Sequence, residues 1–384
     1  MKRSKYFKAV IIITIPTIIL NILACIPAFC NMYADSVYGV IADVCGRFTG
    51  SFGLPLGEIL MYAFALIAFV CIISAILLIF LRRRQGFVAF AKHYMKFTLM
   101  LFLCMLLIYT LNWIIPYRSE VCAIRSTPKD TTYSLEEVRW VRNHFVNEAN
   151  RLSLEVERDS DGNVIYPSRA DMLIEVTAAM QNVSADFPRL KGYVPPMKEA
   201  LCSPALEWMS IGGYTYPYTM EVTCNKYCSG MYYPVLLAHE ESHHQGYYHE
   251  NEGEFLAFYI NLKSDVPRLK YCTYLGNYYR INNAYIEFLK KLPRDAAQAL
   301  RAEDPVYSDL VRADIKYASN EQSEQYNNDA HPFENMSDTA EKISDTGWDA
   351  QAAVIGENNY DGIVKMLLDY YADEMAEDDR FFAH

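Results

Sequence analysis

The chain has 384 residues, room for two or three compact units, and its 52% hydrophobic and 21% charged residues exclude a disordered chain or a low-complexity fibre. A net charge of −11 argues against a protein that binds nucleic acid through a broad basic surface. That charge is divided: residues 1–116 carry +7 and the remainder −18, so a basic, apolar front precedes an acidic, polar back, which excludes a fully soluble enzyme.

A helix needs about 20 apolar residues to cross a bilayer. Residues 10–30, 59–81 and 97–115 meet that requirement, and none of the three stretches contains a charged side chain. Pro16, Asn21 and Pro27 interrupt the first, which predicts a kink or packing against the other two. Lys2, Arg3, Lys5 and Lys8 precede the first stretch, and Arg82, Arg83, Arg84, Lys92 and Lys96 lie between the second and third. Between the first and second stands only Arg47. The bias of cytoplasmic flanks toward Lys and Arg therefore puts everything after about Pro116 outside the cell. A cleaved signal peptide, or a lipoprotein signal around Ile22-Leu23-Ala24-Cys25, are alternatives for the first stretch. A retained helix is preferred because the stretch runs past a short signal core, and cleavage would leave the acidic domain in the same place.

These stretches predict a multi-pass membrane anchor over 1–116 joined to a mainly α-helical α+β domain over 117–384. Within the latter, Ser134 before Leu135-Glu136-Glu137 is a helix N-cap, followed by Val138, Val141, Phe145 and Val146 at helical spacing. Residues 159–163 read as a turn, 168–182 as a helix and 184–196, with three prolines, as a connector. Residues 211–224 alternate and are rich in Thr, Tyr and Val, the pattern of a strand or hairpin. Helices follow over 235–260, 280–291 and 362–375, and 319–345 reads as a polar loop. No internal repeat is visible. Of the ten cysteines, five fall in the front and five behind it, without a disulfide framework spacing; Cys224 and Cys228 lack the second Cys/His pair of a metal knuckle.

Four of the eight histidines fall within eleven residues: His239, His243, His244 and His249. His239 and His243 stand four apart, so on a helix they project from one face, a turn apart, and can reach one zinc ion at about 2.0–2.1 Å. Glu240 lies beside the first and can take a proton from water at the metal. Together they make the H-E-x-x-H pattern of zinc metallopeptidases, with Zn2+ as the expected cofactor. The plain alternative is a polar surface helix with clustered histidines. Against it stand the apolar lead-in Pro234-Val235-Leu236-Leu237-Ala238 and Gly246, which can end the helix and turn the chain toward further carboxylates.

Two residues compete to be the third ligand. His239, Glu240, His243, Gly246 and His249 satisfy the metzincin spacing H-E-x-x-H-x-x-G-x-x-H, yet no convincing Met-turn follows. Glu250, Gly253, Glu254 and Ala257 share one helical face whose two small residues permit a close approach to the H-E-x-x-H helix. That arrangement matches the E-x-x-A-D/N habit of gluzincins, in which the first Glu binds zinc and the later position orients a ligand histidine, so Glu250 is preferred and Glu254 is expected to support it. An oxyanion stabiliser is expected among the tyrosines or at His331.

Nearly end to end, the chain resembles a bacterial family of membrane-anchored zincin-like proteins, domain-of-unknown-function family 3810. The resemblance is carried by Leu54-Pro55-Leu56-Gly57-Glu58, by Leu111-Asn112 with Arg118, and by the run from Gly213 through Pro217 and Thr219 to Glu221. It continues in Glu250-Asn251-Glu252-Gly253-Glu254-Phe255, Tyr360-Asp361-Gly362 and Val364-Lys365-Met366-Leu367-Leu368. The departures are Gly253-Glu254 for Ala-Asn and His249 where an Arg is usual, which makes the metzincin spacing an accident of one substitution. The resemblance implies a zinc-peptidase-like fold and no particular substrate. The expected function is cleavage of a peptide or protein substrate at the outer face of the cell membrane, with the lipid bilayer as the other partner and no nucleic acid. A non-catalytic metal-binding sensor or cell-envelope assembly factor is the alternative; a transporter subunit is disfavoured because no charge lies in any span. The topology is testable with a cysteine introduced at Ser337: a membrane-impermeant thiol reagent should label it on intact cells, and labelling only after lysis would reverse the assignment.

Overall fold

The computed structural model describes residues 5–122, 133–329 and 362–378. His331 and Ser337, together with Tyr360 and Asp361 of the resembling segment, lie outside the described residues. Most of the described chain is helical, and it divides into two compact units. Unit 1 comprises Met1–Glu120, Gly192–Leu201 and Thr215–Thr223, and unit 2 comprises Val121–Lys191, Cys202–Tyr214 and Cys224–His384.

Unit 1 holds three helices long and apolar enough to cross a membrane: α1 (Lys5–Leu23), α4 (Leu56–Leu81) and α5 (Gln85–Tyr109), the last continuing through a π-helical turn into α6 (Ile115–Tyr117). The first ends well before residue 30, where the apolar run ends. Ile26 is extended and Pro27 opens a new helix, because the residue before a proline is pushed out of the helical region. Asn21, the polar residue within α1, donates to the Thr110 hydroxyl at 2.9 Å and so ties α1 to the end of α5. The segment between the first two spans is itself helical, as α2 (Pro27–Tyr33), a π turn and α3 (Gly39–Gly50).

The described residues also contain one three-stranded sheet. β1 (Lys198–Glu199), β2 (Gly213–Tyr216) and β3 (Glu221–Cys224) form a sheet in the order β1-β3-β2, so the predicted hairpin exists and gains a two-residue neighbour too short to leave a sequence pattern. Glu221 is 2% exposed and forms an ion pair with Lys198, 6% exposed. Its carboxylate also accepts from the backbone N–H groups of Leu56 (3.0 Å) and Gly57 (2.5 Å), two of the unpaired donors at the start of α4. Lys198 donates further to the carbonyls of Thr49 and Leu54, both at 2.9 Å. Gly57 has no room for a side chain: a Cβ there would lie 2.6 Å from the Tyr216 ring. Glu58 accepts from the Leu201 N–H at 2.6 Å, and Asn112 donates to the Pro217 carbonyl at 2.7 Å.

Unit 2 is built from α7 (Leu135–Leu152), α8 (Arg169–Asn182), α9 (Ser203–Trp208), α10 (Tyr233–His244), α11 (Glu250–Leu262), α12 (Pro267–Leu289), α13 (Arg294–Glu303), α14 (Asp309–Asn327) and α15 (Gly362–Glu377). The capping box expected at Ser134 forms: its hydroxyl accepts from the Glu137 N–H, and the Glu137 carboxylate accepts from the Ser134 N–H at 2.7 Å. Phe145 stacks on Phe258 at 5.6 Å and meets Tyr274 edge-on at 5.1 Å, so α7, α11 and α12 share an aromatic core that Tyr371 of α15 completes. The polar stretch from 319 is no loop as far as Asn327, because α14 starts at the Ser308 cap and buries Val311, Asp314 and Ala318. Its Glu and Gln residues are good helix formers, and Asp314 is held by both Arg158 guanidinium nitrogens at 2.7 and 2.8 Å. No disulfide bond is present among the described residues.

Breaking the Lys198–Glu221 pair from one side strands a buried charge. Glu221→Gln should therefore cost about 3–5 kcal/mol in unfolding free energy of the detergent-solubilised protein, and Lys198→Met in the Glu221→Gln background should recover much of it. Equal stability of wild type and Glu221→Gln would show that the pair holds nothing.

Candidate metal centre

α10 is polar along its C-terminal half, yet Glu240, Glu241, Ser242, His243 and His244 are all buried. A surface helix with clustered histidines does not look like this. The helix ends in a Schellman motif: Tyr247 N–H donates to the Ser242 carbonyl (3.0 Å), Gly246 N–H donates to the His243 carbonyl (2.9 Å), and Gly246 has φ of +93°. Arg189 holds this turn by donating to the Gly246 carbonyl at 2.9 Å while lying over the Tyr247 ring.

The reversal has two consequences. The Tyr247 carbonyl comes within 2.7 Å of His243 Nδ1, and since a carbonyl only accepts, the proton of the neutral ring sits on Nδ1 and Nε2 is left as the ligand atom. The chain also re-enters a helix with His249 as the residue before α11 and Glu250 as its first residue. α11 then crosses close to α10. A Cβ added at Gly253 would stand 2.9 Å from Cε1 of His243 and 3.0 Å from Cε1 of His239, so the side chain missing there is what lets the two imidazoles and Glu250 meet.

His239, His243 and Glu250 form a group whose ligand atoms lie within 4.8 Å of one another. His239 Nε2 and His243 Nε2 are 3.0 Å apart, and Glu250 Oε2 is 3.4 Å from the first and 3.8 Å from the second. Zinc–ligand bonds of 2.0–2.1 Å in a tetrahedron imply ligand-to-ligand distances of about 3.3 Å, and the three observed values bracket that edge. The donor set of two imidazoles and one carboxylate suits the same ion. Burial opposes the charge on His239, but Glu250, Glu254 and Glu240 outweigh it and push its pKa up to about 9. Burial likewise opposes the charge on Glu250, and the bonds to His239 and His243 nonetheless hold its carboxyl well below the usual range.

The remaining sequence-derived candidates fall around this group. Glu240 is 4% exposed and near enough to His239 to raise its pKa. His249 is not in the group; its backbone N–H donates to the Glu252 carboxylate at 3.3 Å. Glu254 is not in the group either. It is ion-paired with Arg280 and acts on His239 through its charge. Three contributors carried no sequence signal: Arg189 at the turn, the Tyr247 carbonyl and Arg280. Nor did Glu241, which is fully buried with no hydrogen-bond partner among the described residues for either carboxylate oxygen; burial first and Glu240 second raise its pKa far above the ordinary value.

A mostly helical chain with three helices able to cross a membrane and a two-histidine, one-carboxylate cluster defines the class of protein to which comparison can be made. Residues 33–368 match the model of the family described as "Protein of unknown function (DUF3810)". The chain belongs to that family. No curated protein and no solved structure matches it.

The third ligand is decided by two substitutions. Glu250→Ala should lower zinc affinity by more than the roughly 10–100-fold typical of supporting residues, whereas His249→Arg should leave zinc bound; the opposite result would restore the metzincin spacing. Gly253 gives a separate check on the close approach. Gly253→Ala would set a Cβ 2.9 Å from the His243 ring and 3.0 Å from the His239 ring and so press on both, and Gly253→Val must displace them further. The valine variant should lose zinc affinity by roughly 10–100-fold in a competition titration while keeping its helical circular dichroism.

Proposed function

We propose that this chain is a membrane-anchored, zinc-dependent peptidase whose second unit is a gluzincin-like zincin domain, acting on peptide bonds at the outer face of the cell membrane. The observation that carries the reading is the convergence of His239, His243 and Glu250 at tetrahedral spacing with Glu240 beside them. His239, His243 and Glu250 would hold the ion. The chemistry that zinc supplies in such a site is Lewis acidity, which polarises a carbonyl and makes water acidic near neutral pH.

The chain's own residues do the rest. Glu240 accepts the proton of the attacking water and returns it to the leaving amine, the work of a positioned general base and acid. The Tyr247 carbonyl fixes the tautomer of His243, and Glu254, itself fixed by Arg280, places negative charge near His239.

Glu240→Gln keeps the shape and removes the proton acceptor. Zinc measured by mass spectrometry should remain at wild-type stoichiometry, while turnover of a peptide library should fall by roughly 10²–10⁴-fold. Unchanged cleavage would remove Glu240 from the mechanism. A zinc-loaded wild type that cleaves nothing in a broad screen, with a cellular phenotype unaffected by Glu240→Gln, would replace the peptidase with a metal-binding sensor or envelope assembly factor.

A further inference from the structure

Unit 1 contains a cleft of about 410 Å3 between α3 and the first turns of α4. Its walls are Val44 and Phe48 from α3, Leu56, Ile59 and Leu60 from α4, and Tyr218 from the segment between β2 and β3. The volume lies in the usual range for a small-ligand site, and no charged side chain lines it. We propose that this cleft is a binding site for a single acyl chain of a membrane lipid, held between α3 and the start of α4.

The chemistry of the walls selects the occupant. Val44 and Phe48 are 62% and 65% exposed, and Ile59 is 40% exposed, an arrangement that costs free energy against water and none against hydrocarbon. α4, which supplies Ile59 and Leu60, exposes Leu66, Phe69 and Ile72 further along and reaches a mean hydropathy of 3.2 over its most apolar window, so the cleft lies at one end of a helix fit to cross a bilayer. A peptide would bring backbone N–H and C=O groups that need partners. The cleft has few to offer: the Thr49 hydroxyl already contacts the carbonyls of Cys45 and Thr219, and behind it Lys198 and Glu221 satisfy each other and the α4 N-terminus. A hydrocarbon chain asks for none. The site belongs to unit 1 alone, so it stands or falls independently of the zinc reading.

The test uses the full-length chain purified in detergent and counts retained phospholipid by native mass spectrometry. Val44→Trp and Ile59→Trp fill the cleft, and Ile72→Trp places the same bulk on α4 away from it. Wild type and Ile72→Trp should each keep one phospholipid, and occupancy should fall about tenfold in both filling variants. A second readout does not depend on the filling variants being folded: Phe48→Trp in micelles should show quenching by phosphatidylcholine brominated on the acyl chain, beyond that of the native tryptophans, saturating at one lipid per protein. Absence of retained lipid in wild type, equal retention in the filling and control variants, or quenching that never saturates would each overturn the site and leave only non-specific boundary lipid.

Discussion

The meeting of His239, His243 and Glu250 depends on how closely two successive helices can approach. α10 must bring two imidazoles, and α11 a carboxylate, to one point, and both helices are buried there. Two glycines permit it for different reasons. Gly246 adopts a left-handed conformation that reverses the chain within a single Schellman motif, and Gly253 leaves the gap into which both histidine rings project. The same reversal delivers the Tyr247 carbonyl to His243, so one turn sets both the approach of the helices and the tautomer of a ligand.

Such an approach concentrates carboxylates in a place with little water, and each is managed in its own way. Glu250 is stabilised by His239 and His243, Glu254 by Arg280, and Glu252 by accepting from the backbone N–H groups of His249 and Cys122. Glu241 has no such partner among the described residues, and burial first and the neighbouring Glu240 second raise its pKa well above the usual carboxyl value.

The site was largely legible in the sequence because its information is local. The i,i+4 histidines, the adjacent Glu240, the terminating Gly246 and the small residue at Gly253 all lie within fifteen positions and obey helical periodicity. That periodicity also favoured Glu250 over His249 and placed Glu254 as a supporting residue, although nothing local revealed that Arg280 would pair with it. The three apolar helices were legible from length and composition, but the end of α1 was set by Pro27 rather than by hydropathy. Long-range partners were not legible. Arg189 reaches Gly246 across 57 positions, β1 has only two residues, and the helix continuing to Asn327 depends on burial of Val311, Asp314 and Ala318 that polar composition conceals.

The segments through which the chain resembles its family show the same division between local and long-range information. Leu54 to Glu58, Asn112 and the run ending at Glu221 look unrelated in the sequence, being separated by more than fifty positions at each step. In unit 1 they form one arrangement: Glu221 closes the N-terminus of α4 at Leu56 and Gly57, Gly57 makes room for Tyr216, Asn112 supports the Pro217 carbonyl, and Lys198 neutralises Glu221 from the neighbouring strand. A helix that starts at a membrane surface exposes backbone N–H groups where water is scarce, and a buried carboxylate from a strand is a strong way to satisfy them. The residue types in these segments therefore follow from a structural demand of unit 1, while those between Ala238 and Phe255 follow the spacing that brings His239, His243 and Glu250 together. The first set needs tertiary structure to be understood, and the second can be read from spacing alone.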